Sequence, residues 1–194
     1  MLKSICVFCG SSSGRNGLYV GAARELGKVL AEQKIRLVYG GAKVGLMGAV
    51  ADAVLKHGGE VIGVLPYFLS GKEIAHPDLT QLIIVDTMHE RKTKMSDLAD
   101  GFIALPGGMG TMEELCEILT WAQLGLHQKP AGILNAHRFY NSLITLFDVM
   151  VKEGLLKEKH RRMLLVNDNP VDLLKSMQNY EAPLVEKWID RSET

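Results

Sequence analysis

A nine-residue stretch in the middle of the chain has the residue types and spacing to bind an anion and act on it. It reads Pro106-Gly107-Gly108-Met109-Gly110-Thr111-Met112-Glu113-Glu114. The apolar residues 102–105 before it predict a buried strand, and apolar residues at helical spacing after it predict a helix that opens at Thr111. Glycines at such a corner let the backbone turn tightly and direct free N–H groups and the positive end of the helix dipole toward one point. The stretch therefore predicts a site for a phosphate or another anion.

The spacing leaves two interpretations of Glu114 open. A carboxylate in the first turn of this helix would lie beside the bound anion, a position that favours a chemical role. The pattern Thr111-x-x-Glu114 is also that of a capping box, in which each side chain accepts a hydrogen bond from the other residue's backbone N–H.

Composition restricts the class of protein. The chain has 194 residues, 47% of them hydrophobic, and its formal net charge is zero. This length suits a single domain with a full core, and the balanced charge does not favour a nucleic-acid partner. No apolar run reaches the length of a membrane span, and the first residues show no basic region followed by a long apolar segment. We therefore expect a cytoplasmic protein with no membrane partner.

The cysteines and histidines do not predict a redox or metal centre. Cys6, Cys9 and Cys116 are too few, and odd in number, for a disulfide framework. Cys6 and Cys9 spell C-x-x-C, but residues three apart on a strand point to opposite faces, so we expect both thiols to pack in the core. The six histidines show no ligand spacing such as H-E-x-x-H, and no metal is expected.

Short apolar runs alternate with helical repeats along the chain. Strands are predicted over residues 5–9, 35–39, 60–65, 82–85, 102–105, 131–134 and 164–166. Helices are predicted around residues 22–30, 49–54, 88–99, 111–124, 140–152 and 171–177. Residues 67–78 are predicted to form a loop, and residues 155–162 a charged connection. Continuous apolar strands between helices predict a parallel sheet with helices on both faces, a three-layer α/β/α domain over residues 1–180 with a tail over 181–194.

Four of the connections that follow strands should meet at one edge of this sheet. They are the serine turn at residues 10–14, the glycine corner at 40–48, the charged helix start at 88–95 and the central glycine loop. In open parallel sheets, ligands bind outside the carboxyl ends of the strands. The convergence of four such connections predicts a ligand site there.

The corner at residues 40–48 does not match the common nucleotide fingerprints. Its glycines are not spaced G-x-G-x-x-G, and the second strand ends in glycine where an acidic residue would hold a ribose. Gly45 is followed by Leu46 instead of the Lys and Ser/Thr of a Walker A loop. Neither NAD nor a nucleoside triphosphate is favoured.

Four separate motifs resemble, in order, those of the LOG ("Lonely guy") family. They are Cys9-Gly10-Ser11-Ser12, Gly45-Leu46-Met47-Gly48, Met88-His89-x-Arg91-Lys92 and Pro106-Gly107-Gly108-x-Gly110-Thr111-x-x-Glu114. The resemblance covers roughly residues 4–180. Members of this family are cytokinin riboside 5'-monophosphate phosphoribohydrolases, also described as possible lysine decarboxylases. The resemblance implies a Rossmann-like homodimer that needs no cofactor. It also implies hydrolysis of the N-glycosidic bond of an adenine-type nucleoside 5'-monophosphate to free base and ribose 5-phosphate.

The resemblance also implies roles for individual residues. Arg91 and Glu114 would be the catalytic pair. The implied substrate contacts are Ser12, Gly41, Gly45, Glu73, Lys92, Gly108, Met109, Gly110, Thr111, Glu113 and Thr120. Near Glu73 the sequence departs from plant members, with Ala75-His76-Pro77 in place of a Thr/Gly-rich run. Because arginine keeps its proton at neutral pH, we expect Arg91 to orient the phosphate or Glu114 and not to act as the general acid.

Two other classes of function share parts of this pattern. A non-catalytic carrier of a nucleotide or of the molybdenum cofactor could use the same sheet and phosphate loop, and would bind AMP without releasing adenine. A decarboxylase that uses pyridoxal phosphate would need a Schiff-base lysine and a partner for the pyridine nitrogen. The sequence shows no recognisable Schiff-base lysine and no recognisable partner for the pyridine nitrogen.

Overall fold

The structure is a computed structural model that describes residues 2–15, 17–70 and 75–185. Its strands are β1 (Ser4–Phe8), β2 (Arg36–Tyr39), β3 (Val61–Pro66), β4 (Gln81–Val85), β5 (Gly101–Ala104), β6 (Ala131–Leu134) and β7 (Leu164–Asn167). Its helices are α1 (Leu18–Glu32), α2 (Gly45–Lys56), α3 (Tyr67–Ser70), α4 (Met88–Leu98), α5 (Met109–Gln123), α6 (Asn141–Lys152), α7 (Glu158–Arg161) and α8 (Pro170–Gln178), with one 3-10 turn at Ala136–Arg138.

The seven strands form one parallel sheet in the order β4-β3-β2-β1-β5-β6-β7. The apolar side chains of α1, α2 and α8 pack on one face of the sheet, and those of α4, α5 and α6 pack on the other. The predicted parallel sheet with three layers is confirmed, and the fold is Rossmann-like.

The central strand β1 is buried on both faces, which explains its continuous apolar sequence. Its side chains alternate between the two cores: Ile5 and Val7 belong to the core with α1 and α2, whereas Cys6 and Phe8 belong to the core with α4 and α5. Cys9, just after the strand, returns to the first core. The two cysteines of the C-x-x-C pattern therefore pack on opposite sides of the sheet, as the strand period predicts.

The strand order reverses beside β1. The chain passes from β1 through β2 and β3 to β4 at one edge of the sheet, and then returns to place β5 on the other side of β1. The connections after β1 and β5 consequently leave the sheet in opposite directions and open a crevice between them. In open α/β sheets this switch point is where ligands bind.

The structure corrects three details of the sequence-based prediction. Residues 67–78, predicted as a loop, begin with the short helix α3, and the charged connection at 155–162 contains α7. The helix predicted to open at Thr111 begins at Met109. Within the described ranges, no helix combines the length and the apolar character that crossing a membrane requires.

Candidate functional site

A cleft of about 310 Å³ lies at the switch point, at the carboxyl ends of β1 and β5. Its walls come from all four predicted connections, including the charged start of α4. The lining residues are Val7, Phe8, Cys9, Gly10, Ser11, Gly40, Met47, Arg91, Met95, Gly108, Met109, Gly110, Thr111 and Glu114. The predicted convergence of the four segments is thus observed.

The N-terminus of α5 faces this cleft without a side-chain cap. Its N-cap is Gly108, and no side chain accepts a hydrogen bond from the first-turn amides. The first hydrogen bond of the helix runs from the Met112 N–H to the Gly108 carbonyl, so the amides of residues 109–111 have no partner within the helix. Thr111 is the third helical residue, and it does not form a capping box with Glu114. The capping-box interpretation of Glu114 is therefore wrong.

The glycines around the start of α5 are required for different reasons. A Cβ on Gly107 would collide with the Thr111 side chain and come within 2.9 Å of the Gly10 nitrogen. Gly107 is therefore required by packing. A Cβ on Gly108 or Gly110 would meet no atom within 4 Å, so these two positions leave open space at the cleft. A bound anion can approach the helix amides through that space.

Alanine substitutions should separate these two reasons. We expect Gly107→Ala to lower the free energy of unfolding by ~1–3 kcal/mol, because the added methyl overpacks the loop. Gly110→Ala should leave stability unchanged or slightly raised, while weakening nucleotide binding because the methyl stands where the anion approaches. Thermal unfolding and a nucleotide titration of both variants measure the difference. Equal loss of stability in the two variants would contradict this assignment.

Short backbone contacts hold the three loops of the cleft together. The Gly10 N–H donates to the Pro106 carbonyl at 3.1 Å, which joins the connection after β1 to the one after β5. The Leu46 N–H donates to the Gly10 carbonyl at 3.0 Å, which joins α2 to the same connection. Gly45 has a φ of +60°, and a Cβ there would lie 2.3 Å from the Ser11 carbonyl carbon. Only glycine fits this close approach without a shift of the backbone.

Arg91 and Glu114 face each other across the cleft. Arg91 Nη1 lies 3.5 Å from Glu114 Oε1, and each side chain is only 12% exposed. Arg91 Nε donates to the Val64 carbonyl at 3.1 Å, and the guanidinium lies where a Cβ of Gly40 would be. The arginine is thus held by β3 and by the glycine that follows β2. The two residues that the resemblance pairs are brought together by α4 and α5.

The Glu114 carboxyl has an unusual environment for an acid. Burial in the cleft raises the pKa of Glu114 from an ordinary 4.5 to about 7; the Arg91 charge opposes this rise and the Glu113 carboxylate adds to it. A carboxyl with a pKa near neutrality in a cleft is typical of active sites. It can exchange a proton at physiological pH.

The raised pKa of Glu114 makes stability depend on pH. Between pH 4.5 and about 7 the folded state keeps a proton that the unfolded state has released, so the free energy of unfolding falls as pH rises through this window. We expect wild type to lose ~3 kcal/mol relative to Glu114→Gln across the window, and nothing further above it. Denaturant unfolding of both proteins at several pH values measures this difference. A difference that stays constant with pH would contradict the raised pKa.

Lys92 on α4 is paired with two carboxylates of α5. Its ammonium donates to Glu113 Oε1 at 2.7 Å and to Glu117 Oε1 at 2.8 Å. Burial lowers the pKa of Lys92, but the hydrogen bonds to Glu113 and Glu117 more than offset this, so the pKa is raised. This ion-pair group joins the two helices that carry Arg91 and Glu114.

The structure places the predicted site residues in three groups. Those that line the cleft are Arg91, Gly108, Met109, Gly110, Thr111 and Glu114. Ser12 and Gly41 lie in the connections after β1 and β2 and Gly45 is the first residue of α2, next to residues that line the cleft. Lys92, Glu113 and Thr120 lie outside it, and the Thr120 hydroxyl donates to the Cys116 carbonyl at 2.8 Å. Glu73 lies outside the residues that the structure describes.

Eight residues that line the cleft were not among the predicted site residues: Val7, Phe8, Cys9, Gly10, Ser11, Gly40, Met47 and Met95. Gly40 is the seat of the Arg91 guanidinium, and Met47 and Met95 form apolar parts of the wall. Met95 could have been found, because it lies one helical turn after Arg91 and so shares its face of α4. Gly40 and Met47 lie in the glycine corner that was predicted to reach this end of the sheet, but their individual contacts join segments far apart in the sequence and could not be predicted from spacing.

Fold and cleft together define the class of this protein. It is a Rossmann-like α/β protein whose switch point carries a glycine loop shaped for an anion and a buried carboxyl group. Among the described residues, no group of three or more His, Cys, Asp or Glu side chains is arranged to hold a metal ion.

Comparison with known proteins identifies the family. The sequence model of the family described as "Possible lysine decarboxylase" matches residues 47–177. Cytokinin riboside 5'-monophosphate phosphoribohydrolase LOG7 of Arabidopsis thaliana is 49% identical, over 92% of this chain and 82% of that protein. The phosphoribohydrolase LOG of Oryza sativa subsp. japonica is 47% identical, over 92% of this chain and 74% of that protein. The chain belongs to the LOG family of cytokinin riboside 5'-monophosphate phosphoribohydrolases.

Solved structures with the same fold include molybdenum cofactor proteins. The molybdenum cofactor carrier protein of Chlamydomonas reinhardtii superposes with a TM-score of 0.68 at 19% identity, over 93% of this chain and 100% of that chain. The molybdenum cofactor binding protein of Rippkaea orientalis gives 0.69 at 20% identity, over 92% and 97%. At this level of identity, the likeness shows the fold alone.

Proposed function

We propose that this protein hydrolyses the N-glycosidic bond of cytokinin riboside 5'-monophosphates, which are N6-modified forms of AMP, or of AMP itself. The products are the free base and ribose 5-phosphate. The observation that carries this proposal is a buried carboxyl group, Glu114, one helical turn beyond uncapped amides in the same cleft. The close identity to phosphoribohydrolases over nine-tenths of the chain supports it.

The spacing along α5 suits a ribose 5-phosphate. Gly110 and Glu114 are four residues apart and share one face of the helix, roughly 6 Å apart along its axis. In a nucleoside 5'-monophosphate, five bonds separate the phosphorus from the anomeric carbon of the sugar. A phosphate at the amides of residues 109–111 therefore brings the anomeric carbon within reach of Glu114.

The carboxylate and the phosphate site have complementary parts in the reaction. Cleavage of the glycosidic bond develops positive charge on the sugar, which a nearby carboxylate stabilises, and the same carboxylate can activate the attacking water. Binding energy from the remote phosphate holds the sugar in place for this step. Arg91 keeps its charge and orients Glu114 or the phosphate.

The proposed substrate contacts differ in what supports them. Phosphate contacts are assigned to the loop from Gly108 to Thr111. Further substrate contacts remain predictions from the family resemblance: Ser12, Gly41, Gly45, Glu73, Lys92, Glu113 and Thr120. Within the described residues no lysine lines the cleft, so a Schiff base with pyridoxal phosphate has no support there.

One assay tests the proposed reaction. The protein is incubated with AMP, with isopentenyl-AMP and with adenosine, and base release is followed by chromatography. We expect base from one or both nucleotides, and a kcat/KM at least ~100-fold lower for adenosine because it lacks the phosphate. Binding of both nucleotides without any base release would instead indicate a carrier and would contradict the proposal.

A homodimer is proposed as the assembled form. The helix α6 has no fully buried residue, and its apolar Leu146 and Val149 are exposed. A helix that exposes part of an apolar face is typical of a surface that another chain covers. Sedimentation analysis should give twice the mass of one chain, and Leu146→Glu should yield monomers. A wild-type protein that sediments as a monomer would contradict this assembly.

The remaining assignments come from the sequence. We propose that residues 1–180 form the catalytic domain. A cytoplasmic location is proposed from the three sparse cysteines, which are free thiols in the structure.

A further inference from the structure

His76 is a buried polar residue near the cleft that the reaction described above does not use. It is 6% exposed and lies between Ala75 and Pro77. Its backbone N–H donates to the Gly41 carbonyl at 2.9 Å, and Ala75 forms an antiparallel bridge with Ala42. Residues 75–76 therefore lie as a strap across the corner that follows β2.

Both ring nitrogens of His76 have partners, and these fix its tautomer. Nδ1 accepts a hydrogen bond from the Asp78 N–H at 3.2 Å, so Nδ1 carries no proton. Nε2 lies 3.0 Å from Asp52 Oδ1 on α2 and donates its proton to that carboxylate. The imidazole is almost fully enclosed, whereas the Asp52 side chain is 71% exposed. The ring thus ties the strap to α2 through Nε2 and closes a turn with Asp78, just after the strap, through Nδ1.

The Arg91 guanidinium packs against Gly40, in the corner that this strap crosses. Gly40 precedes the residue whose carbonyl the strap binds, and a Cβ on Gly40 would collide with the guanidinium. A movement of the corner would therefore change the position of Arg91 relative to Glu114. The amides proposed to hold phosphate lie at the start of α5, which follows β5, on the other side of β1 from the strap.

We propose that His76 and Asp52 form a clamp that positions Arg91 for the reaction through the corner at Gly40 and Gly41, without contact to the substrate. This inference rests on the proposed function. The clamp acts on the chemical step and leaves the phosphate site intact. Its loss should lower kcat by ~10-fold to ~100-fold, the scale that a displacement of about 1 Å at a reacting group produces. The inhibition constant of ribose 5-phosphate should stay unchanged.

Paired substitutions test the clamp. Asp52→Ala removes an exposed side chain, so the fold should tolerate it, and His76→Ala removes the other half. Because the two residues act as one unit, the double variant should lose no more kcat than either single variant. His76→Gln, which keeps an N–H for Asp52, should recover part of the lost rate. Glu60→Ala is the control. It breaks an exposed ion pair with Arg36 at the amino ends of β2 and β3, away from the cleft at the carboxyl ends.

A second readout needs no turnover. The charge of Arg91 holds down the pKa of Glu114, so a displaced Arg91 should raise that pKa in Asp52→Ala and His76→Ala, but not in Glu60→Ala. Carbon-13 NMR of the glutamate carboxyls measures it. An unchanged Glu114 titration, or a kcat within twofold of wild type in both single variants, would overturn the clamp. Absence of base release by wild type would contradict the proposed function alone, because the NMR titration still decides on the clamp.

Discussion

Glu114→Gln is expected to abolish base release while the nucleotide still binds. Glutamine has nearly the same shape as glutamate but cannot take up a proton or balance the positive charge that develops on the sugar. Groups that act in this way contribute ~10²–10⁴-fold to the rate. We therefore expect kcat to fall by at least ~10²-fold, with the dissociation constant for AMP within a few fold of wild type, because the loop amides are untouched.

Single-turnover base release and a nucleotide titration measure the two effects of Glu114→Gln. Glu117→Gln is the matched control: it makes the same change on the same helix, at a carboxylate that bonds Lys92 and does not line the cleft. The control should keep kcat close to wild type. A fully active Glu114→Gln protein would remove Glu114 from the chemistry.

Arg91→Ala is expected to lower kcat/KM and to move its pH dependence. If the ionised Glu114 is the reactive form, kcat/KM of wild type rises with pH up to about 7 and then levels off, because that carboxyl titrates there. Arg91 opposes the burial that raises the pKa of Glu114, so its removal leaves the carboxyl protonated at still higher pH. The rising limb should therefore shift to higher pH, and kcat/KM at pH 7 should fall by at least ~10-fold.

Profiles of kcat/KM against pH for wild type, Arg91→Ala and Arg91→Lys measure this shift. Ionisation of the substrate phosphate is common to all three profiles and cancels in the comparison. Lysine keeps the positive charge but cannot bond both the Val64 carbonyl and Glu114 as the guanidinium does. The rise of kcat/KM with pH in Arg91→Lys should therefore occur at a pH between those of wild type and Arg91→Ala. A limb at the same pH in all three proteins would contradict the coupling of Arg91 to Glu114.

The layers of the fold could be predicted because the inner strands β1, β3, β5 and β6 are buried along their whole length, which makes them continuous apolar runs. Each strand is a run of four to six residues in the structure, and each predicted strand overlaps the observed one with ends one residue or so apart. The helices α3 and α7 were not predicted. They have only four residues each and no buried side chain, so they leave no periodic apolar pattern in the sequence.

The start of α5 shows why a local motif can mislead. Thr111-x-x-Glu114 and Thr87-x-x-Glu90 have the same capping-box pattern, and only the second forms the box, with Thr87 as the N-cap of α4. At α5 the helix begins two residues earlier, after Gly108. The contact of Pro106 with Gly10 of another connection helps fix the backbone path there, and such a contact between distant segments cannot be read from spacing.

The partners of single side chains were also beyond the sequence. The pairing of Lys92 with Glu113 and Glu117 depends on how α4 and α5 lie side by side. The contact of Arg91 with Gly40 depends on the return of the chain from β4 to the middle of the sheet. The resemblance named Arg91 and Glu114 as a pair, but their separation and burial required the assembled fold.

The central claim is that the amides at the start of α5 bind the phosphate while Glu114 acts on the sugar. A crystal structure of Glu114→Gln with AMP tests it most directly. The phosphate oxygens should lie ~3 Å from the nitrogens of residues 109–111, and the side chain at position 114 should lie against the anomeric carbon. A phosphate bound elsewhere, or an anomeric carbon out of reach of position 114, would contradict the account.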